Sequence, residues 1–448
     1  MSLSNIFFAK DQRSLKAKNN ITISFITKFI SIAISFIVVP LTLNYVGSEE
    51  YGLWIAISSI INWFAFFDVG LGNGLRNKLA EAIALKKYNL ARVYVSSVYF
   101  IISIISFFLF LGFLLIAYIL PWNVVLNTNI LTNNELFNIV CTVFFLFCFG
   151  FILKLISSIL AAQQRYALND IMGVSSQFLG FIGLYFLVNF TEGSLFNLCF
   201  VYGVKTIIIM SISTILLFSN SLKNLKPSIK LVEFKRVTPL LKLSAEFFFN
   251  QILFLLFTKS SLMLVIQFFG PEDVTVYSLA FRYSTIISMG YIMILNPYLS
   301  AFTEAYTMKE FDWIKSTIKK IQIIWFCSSI LGAISFFIYT WFFKIWVGDH
   351  ITVPSTLMIV LILSAIINMW SNTYTLFLNA IGKIRLQSYI LILNSILFVP
   401  LFYTFYSFDY GLPSIVFSQL ILYSLSAIIF TFQYYKVISS NALGIWGK

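Results

Sequence analysis

Five basic residues, Lys28, Lys154, Lys205, Lys259 and Arg282, lie inside stretches that are otherwise apolar. A cation at the centre of a bilayer costs about 2.5–3.5 kcal/mol on insertion scales, so such residues face a cavity and mark a pathway. At about 1.5 Å per helical residue, Lys205 sits roughly 20 Å and Lys259 roughly 24 Å from the inner ends of their stretches, too deep to snorkel. Lys28 and Lys154 lie within two turns of an inner end, where a stem in lipid with its ammonium at the interface fits as well. Arg282 is about 12 Å from the outer end of its stretch. Only Asp68 and Glu246 offer carboxylates in comparable positions, both towards inner ends. A cavity with surplus positive charge attracts an anion such as a phosphate or pyrophosphate head group. The alternative is that the lysines pair with backbone carbonyls or lose their protons on burial.

A second group lies in Asp68-Val-Gly-Leu-Gly-Asn-Gly-Leu-Arg-Asn-Lys-Leu-Ala-Glu-Ala-Ile. Gly70, Gly72 and Gly74 permit close helix approach or a bend. No strand precedes them and their spacing is wrong for a dinucleotide fingerprint. Glu81 with Arg76 or Lys78 could close a gate by ion pairing, or could be a solvated helix end; Glu304 stands in the corresponding place later in the chain. Proline inside or at the end of an apolar stretch, at Pro40, Pro297 and Pro400, kinks a helix and lets it bend. Asn62, Gln177, Asn250, Gln251, Asn368, Asn372 and Asn379 either line the same cavity or bond neighbouring helices. His350 and the four cysteines, Cys141, Cys148, Cys199 and Cys327, form no cluster with metal-ligand spacing, and each cysteine reads as membrane packing.

These residues need a scaffold, and composition supplies it. Of 448 residues, 59% are apolar and 10% charged, which excludes a soluble globular fold. The apolar runs are about 20 residues long and unbroken, the signature of transmembrane helices and not of an alternating β-barrel. Twelve spans are predicted, at about 21–46, 51–71, 94–119, 136–159, 171–190, 195–218, 243–269, 274–303, 319–343, 353–378, 386–406 and 413–434. The net charge of +13 is scattered between them, which argues against a nucleic-acid partner and for topology signals. With the N-terminus in the cytosol, 24 of the 30 Lys and Arg fall in the two tails, the even-numbered connections and the span ends beside them. The opposite connections hold Lys344 alone, so both termini are expected inside. The outer connections are short and leave no room for a catalytic domain.

The chain divides six and six around a basic connection, giving an N-terminal lobe 1–218, a linker 219–242 and a C-terminal lobe 243–448. The linker's Lys223, Lys226, Lys230, Lys235 and Arg236 favour an anionic leaflet. A shift of 223 positions brings Gly47, Glu49 and Glu50 onto Gly270, Glu272 and Asp273, and Asn73, Glu81, Ala82 and Lys86 onto Asn296, Glu304, Ala305 and Lys309. Six helices per half imply a parallel repeat about the membrane normal in an all-α fold, the architecture that the resemblance below makes an alternating-access transporter.

The stretch Pro40–Ala82, with Leu-Asn-Tyr-Val-Gly-Ser-Glu-Glu-Tyr-Gly-Leu-Trp and then Asp-Val-Gly-Leu-Gly-Asn-Gly-Leu-Arg-Asn-Lys-Leu-Ala-Glu-Ala, resembles bacterial O-antigen flippases of the Wzx type. These belong to the multidrug/oligosaccharidyl-lipid/polysaccharide exporter superfamily. The resemblance implies movement of an undecaprenyl-pyrophosphate-linked oligosaccharide to the outer leaflet of the bacterial inner membrane, by rocking of two lobes around a cationic interior. It implies no enzyme activity and no cofactor; proton or sodium coupling through Asp68 or Glu246 is an expectation. Implied partners are bilayer lipids, a polysaccharide polymerase and a chain-length regulator. On this reading Lys28 and Lys154 recruit the cargo, and Lys205, Lys259 and Arg282 hold it. The competing readings are cation-coupled multidrug export, which calls for intramembrane carboxylates in excess; a lipid II flippase, which usually has more spans; and a glycan polymerase or ligase, which calls for a large outer loop.

Overall fold

The computed structural model describes residues 12–64, 69–234, 260–295, 298–349, 351–439 and 444–447. Asp68, Glu246 and Lys259 lie outside these, as do Asn250, Gln251, Asn296, Pro297 and His350. Among the described residues the fold is all helical. The helices are α1 (Gln12–Phe64), α2 (Val69–Ala84), α3 (Tyr88–Ile119), α4 (Asn133–Leu153), α5 (Leu155–Ala162), α6 (Tyr166–Phe190) and α7 (Leu195–Ser219). After them come α8 (Ser260–Phe269), α9 (Pro271–Leu295), α10 (Tyr298–Thr307), α11 (Phe311–Val347), α12 (Ser355–Ala380), α13 (Arg385–Ser407) and α14 (Pro413–Ile438). Among the described residues, ten helical stretches are long and apolar enough to cross a bilayer. The chain is a multi-pass membrane protein, and a helix satisfies backbone polar groups within itself, as a hydrocarbon solvent demands.

The predicted connections appear as abrupt breaks. Gly47 has φ 79° and ψ 176° inside α1, so two helices meet there with no loop between them. That conformation is open essentially to glycine alone and costs other residues about 1–3 kcal/mol. Gly47→Ala should therefore lower stability by that amount, read by thermal melting of the purified protein; an unchanged melting temperature would show that the turn relaxes freely. Gly270 (φ 93°) likewise separates α8 from α9. α4 begins with a capping box: Thr132 Oγ1 accepts from Glu135 N–H at 3.3 Å, and Glu135 Oε2 accepts from Thr132 N–H at 2.8 Å.

Three spans differ from the hydropathy reading. The fourth breaks at Lys154, between α4 and α5. The glycine-rich stretch is a separate helix, α2, whose Leu75, Leu79 and Ala82 are spaced along one face and are buried. The tail of the eighth span is likewise the separate helix α10. A hydropathy window sums apolar content and does not register a break between two helices.

Contacts divide the chain into two compact units, Met1–Gln251 and Ile252–Lys448. In the first, a core of Leu75, Leu79, Val95, Val98, Ile156 and Ile159 joins α2, α3 and α5. The predicted linker is tied to this unit through residue 234: Leu222 and Leu225 enter the same core. Arg92 Nε donates to the Lys226 carbonyl at 2.8 Å, and the N–H groups of Ser228 and Glu233 donate to Ser96 and Ser97 at 3.0 and 2.9 Å. In the second, Phe302 and Ala305 of α10 pack with Ile314, Ile318, Phe377 and Tyr434.

Candidate functional site

The first unit contains a cavity of about 580 Å³. Its wall follows helical periodicity. On α1 the lining residues are Trp54, Ser58, Ile61 and Asn62, and on α7 they include Cys199, Tyr202, Gly203 and Thr206, each set on a single face. α4 adds Phe147, Gly150 and Phe151 one turn apart, and α6 adds Asn169 and Gly173. Lys154 lies at the α4–α5 junction with φ −60° and ψ −19°, lines the cavity and is exposed there. Among the described residues that line it, Lys154 carries the one charge, and no carboxylate does so.

The cavity has two chemically different ends. Trp54 lies seven residues beyond Gly47, and Tyr202 seven residues into α7. Their ring centroids are 4.8 Å apart at 57°, which makes an aromatic corner. Lys154 and Asn169 occupy the other end, about 20 Å along the helix axes at 1.5 Å per residue.

Lys205 stands behind the corner. It does not itself line the cavity; its Nζ lies 3.9 Å from the centroid of the Tyr202 ring, one turn away on α7. Its stem runs against Gly180 of α6, where an added Cβ would fall within the lysine side chain, 2.9 Å from Nζ and 3.2 Å from Cε. The Tyr-x-x-Lys spacing signals the cation–ring contact in sequence, whereas the glycine that makes room for it is visible only in three dimensions. Ser176 and Thr206, bonded at 3.2 Å, tie α6 to α7 beside it.

Other expected site residues are dispersed. Lys28 is exposed on α1 and does not line the cavity. Arg282 is half-buried on α9 of the second unit, and Glu304 is exposed on α10 between Thr303 and Thr307. Arg76 is exposed. Lys78 Nζ donates to Glu81 Oε2 at 2.8 Å within α2, which holds the Glu81 carboxyl below its ordinary range and raises the Lys78 ammonium above its own. This is a solvated pair within one helix. Gln177 bonds Ser31 at 2.6 Å and Asn372 bonds Asn368 at 3.2 Å, so these amides join helix to helix or turn to turn. Asn62, by contrast, lines the cavity, along with Ser58, Ser157, Asn169 and Thr206, which residue type alone does not single out. All four cysteines are free.

Residues 17–303 match the family described as polysaccharide biosynthesis protein. A Yersinia pseudotuberculosis protein named for O-antigen export is 25% identical over 369 residues, 80% of this chain and 82% of that one. A Salmonella typhimurium protein named as an O-antigen transporter is 21% identical over 379 residues, 81% and 83% of the two chains. In fold, the chain is similar to an inward-facing multidrug-resistance MATE transporter of the MOP superfamily, with TM-score 0.72 and 14% identity over 94% of this chain and 98% of that one. It is also similar to a Vibrio cholerae MATE transporter, with TM-score 0.63 and 15% identity over 97% and 99%. These relatives are transporters and not enzymes, and with most of its length matched, the chain belongs to the polysaccharide biosynthesis protein family.

Proposed function

We propose that the protein moves undecaprenyl-pyrophosphate-linked O-antigen or related repeat units from the cytoplasmic to the outer leaflet of the inner membrane. The observation that carries this reading is the cavity of the first unit: one lysine, no carboxylate among its described lining residues, and amides, hydroxyls and aromatic rings set among aliphatic side chains. A lysine attracts a pyrophosphate, and neutral polar groups suit sugar hydroxyls. The O-antigen relatives support the cargo class. Multidrug export, suggested by the shared MATE fold, is disfavoured because a cationic drug calls for a carboxylate in the wall and the described lining residues include none.

The mechanism in this reading is alternating access of two like-directed six-helix lobes, with twelve helices in all and both termini in the cytosol. Two matched breaks support the duplication. Gly47 and Gly270, both with positive φ, are 223 residues apart. So are Lys86 (φ 56°) and Lys309 (φ 60°), each of which closes a short helix two residues before a long one begins at Tyr88 or Phe311. The N–H groups after them donate back to Ala82 and Ala305 at 2.9 and 2.8 Å, the same helix ending twice. In this mechanism Lys28 recruits, Lys154 takes the pyrophosphate, and Lys205, Lys259 and Arg282 supply the positive interior. Asp68 or Glu246 would couple a proton or sodium gradient, with Arg76, Glu81 and Glu304 at the inner ends. A polymerase and a chain-length regulator would take up the product outside.

Deleting the gene in its host tests the reading. Unpolymerised lipid-linked units should accumulate where a membrane-impermeant glycan label reaches them only after permeabilisation, and surface polysaccharide should disappear until the intact gene is restored. Unchanged surface polysaccharide in the deletion strain would overturn the proposal.

A further inference from the structure

The aromatic end of the cavity has a chemistry of its own. Trp54 and Tyr202 meet ring against ring as a tilted corner with centroids 4.8 Å apart, and both line the cavity, so the corner offers an aromatic surface to whatever rests on it. A sugar ring has an apolar face of C–H bonds and a rim of hydroxyls. The faces of the corner suit the first, and Ser58 and Asn62, one and two turns from Trp54 on the same face of α1, suit the second. Asn62 is exposed to the cavity, and neither it nor Asn169 makes a side-chain hydrogen bond among the described residues. Both amides therefore keep their hydrogen-bonding capacity open to a polar ligand or to water in the cavity. Both are neutral and pair donor with acceptor, as a polyol does and a phosphate does not. The one lining charge, Lys154, lies about 20 Å away along the helix axes.

We infer that Trp54 and Tyr202 form a carbohydrate subsite, with Ser58 and Asn62 reading hydroxyls, that holds a sugar ring of the cargo several units from its phosphate. This deepens the proposed function and rests on it. The cavity of about 580 Å³ is of the size of a small-molecule site, with room for a glycan segment and not for a polyprenyl chain. Cargo selection then happens by stacking and hydrogen bonding at one end of the cavity, while the one lining charge stands at the other.

The test uses the full chain in lipid nanodiscs and, as probe, the repeat-unit oligosaccharide of the host freed from both lipid and pyrophosphate. Binding is read by saturation-transfer NMR and calorimetry, and folding by thermal melting. Trp54→Ala should weaken the oligosaccharide at least about tenfold, Asn62→Leu should weaken it too, and Trp54→Phe, which keeps a stacking face, should retain most of the affinity. Equal affinity in the intact chain and in folded Trp54→Ala would overturn the subsite. So would full displacement of the oligosaccharide by inorganic pyrophosphate, which would mean a single shared site. The deletion experiment separates the two proposals: lost surface polysaccharide with unaltered Trp54→Ala binding sinks the subsite alone, whereas intact surface polysaccharide sinks the cargo and the subsite with it.

Discussion

Lys205→Met should reduce export of lipid-linked repeat units at least about tenfold, equivalent to about 1.4 kcal/mol, while the chain still folds. Methionine reproduces the length of the lysine stem and fills the same groove against Gly180, so packing between α6 and α7 is kept. What disappears is the ammonium 3.9 Å from the Tyr202 ring, and with it the positive field behind the aromatic corner. Lys205→Glu should be worse, because it sets a carboxylate against the negative face of the ring in a crowded, apolar contact. The measurement pairs transport with thermal melting. Full export by the methionine variant would show that Lys205 serves only as a spacer.

Lys154→Glu should have the larger effect, a fall in export of about a hundredfold or more. The substitution changes the one charge among the described lining residues from positive to negative. Two unit charges 4 Å apart interact by about 4 kcal/mol at an effective dielectric of 20. Lys154 is exposed at the cavity, so screening takes a good part of this, yet reversing the sign counts the remainder twice. Lys154→Arg should retain most of the transport, since a guanidinium binds phosphate at least as well. Raised salt should weaken the intact protein's hold on inorganic pyrophosphate in the same direction. Export by Lys154→Glu at the level of the intact protein would remove charge attraction from the mechanism.

The parts of the fold that show in the sequence are those set by one-dimensional quantities. Apolar run length gives the transmembrane helices, and the Gly47 and Gly270 turns stand out because an acidic pair follows a glycine between two runs. The separate helices α2 and α10 do not show, since their buried faces, Leu75, Leu79 and Ala82 in one and Phe302 and Ala305 in the other, depend on which neighbours cover them. The cavity was legible only in part. Lys154 and Asn62 stand out as polar residues in apolar runs, and both line it. Asn169, Ser58 and Thr206 do not stand out, because a hydroxyl or an amide near a helix end has many bland roles. Lys205 was expected to face the cavity, and its ammonium rests instead on the ring of a residue that does. That arrangement requires Gly180, which is 25 residues away and on another helix.

The single-residue turn at Gly47 also governs how the aromatic end can open. The helices on either side of it are joined with no slack, and two Cα steps of 3.8 Å limit their separation at that end to about 7 Å. They form an elbow whose arms can bend about the joint but cannot part at it. Trp54 lies only two turns down the second arm, so it moves with the elbow and not away from it. The start of α7 is held at the same place, because the Tyr45 and Thr191 hydroxyls lie 2.8 Å apart and Gly193 packs against the Tyr45 carbonyl, so Trp54 and Tyr202 are carried together when the elbow bends.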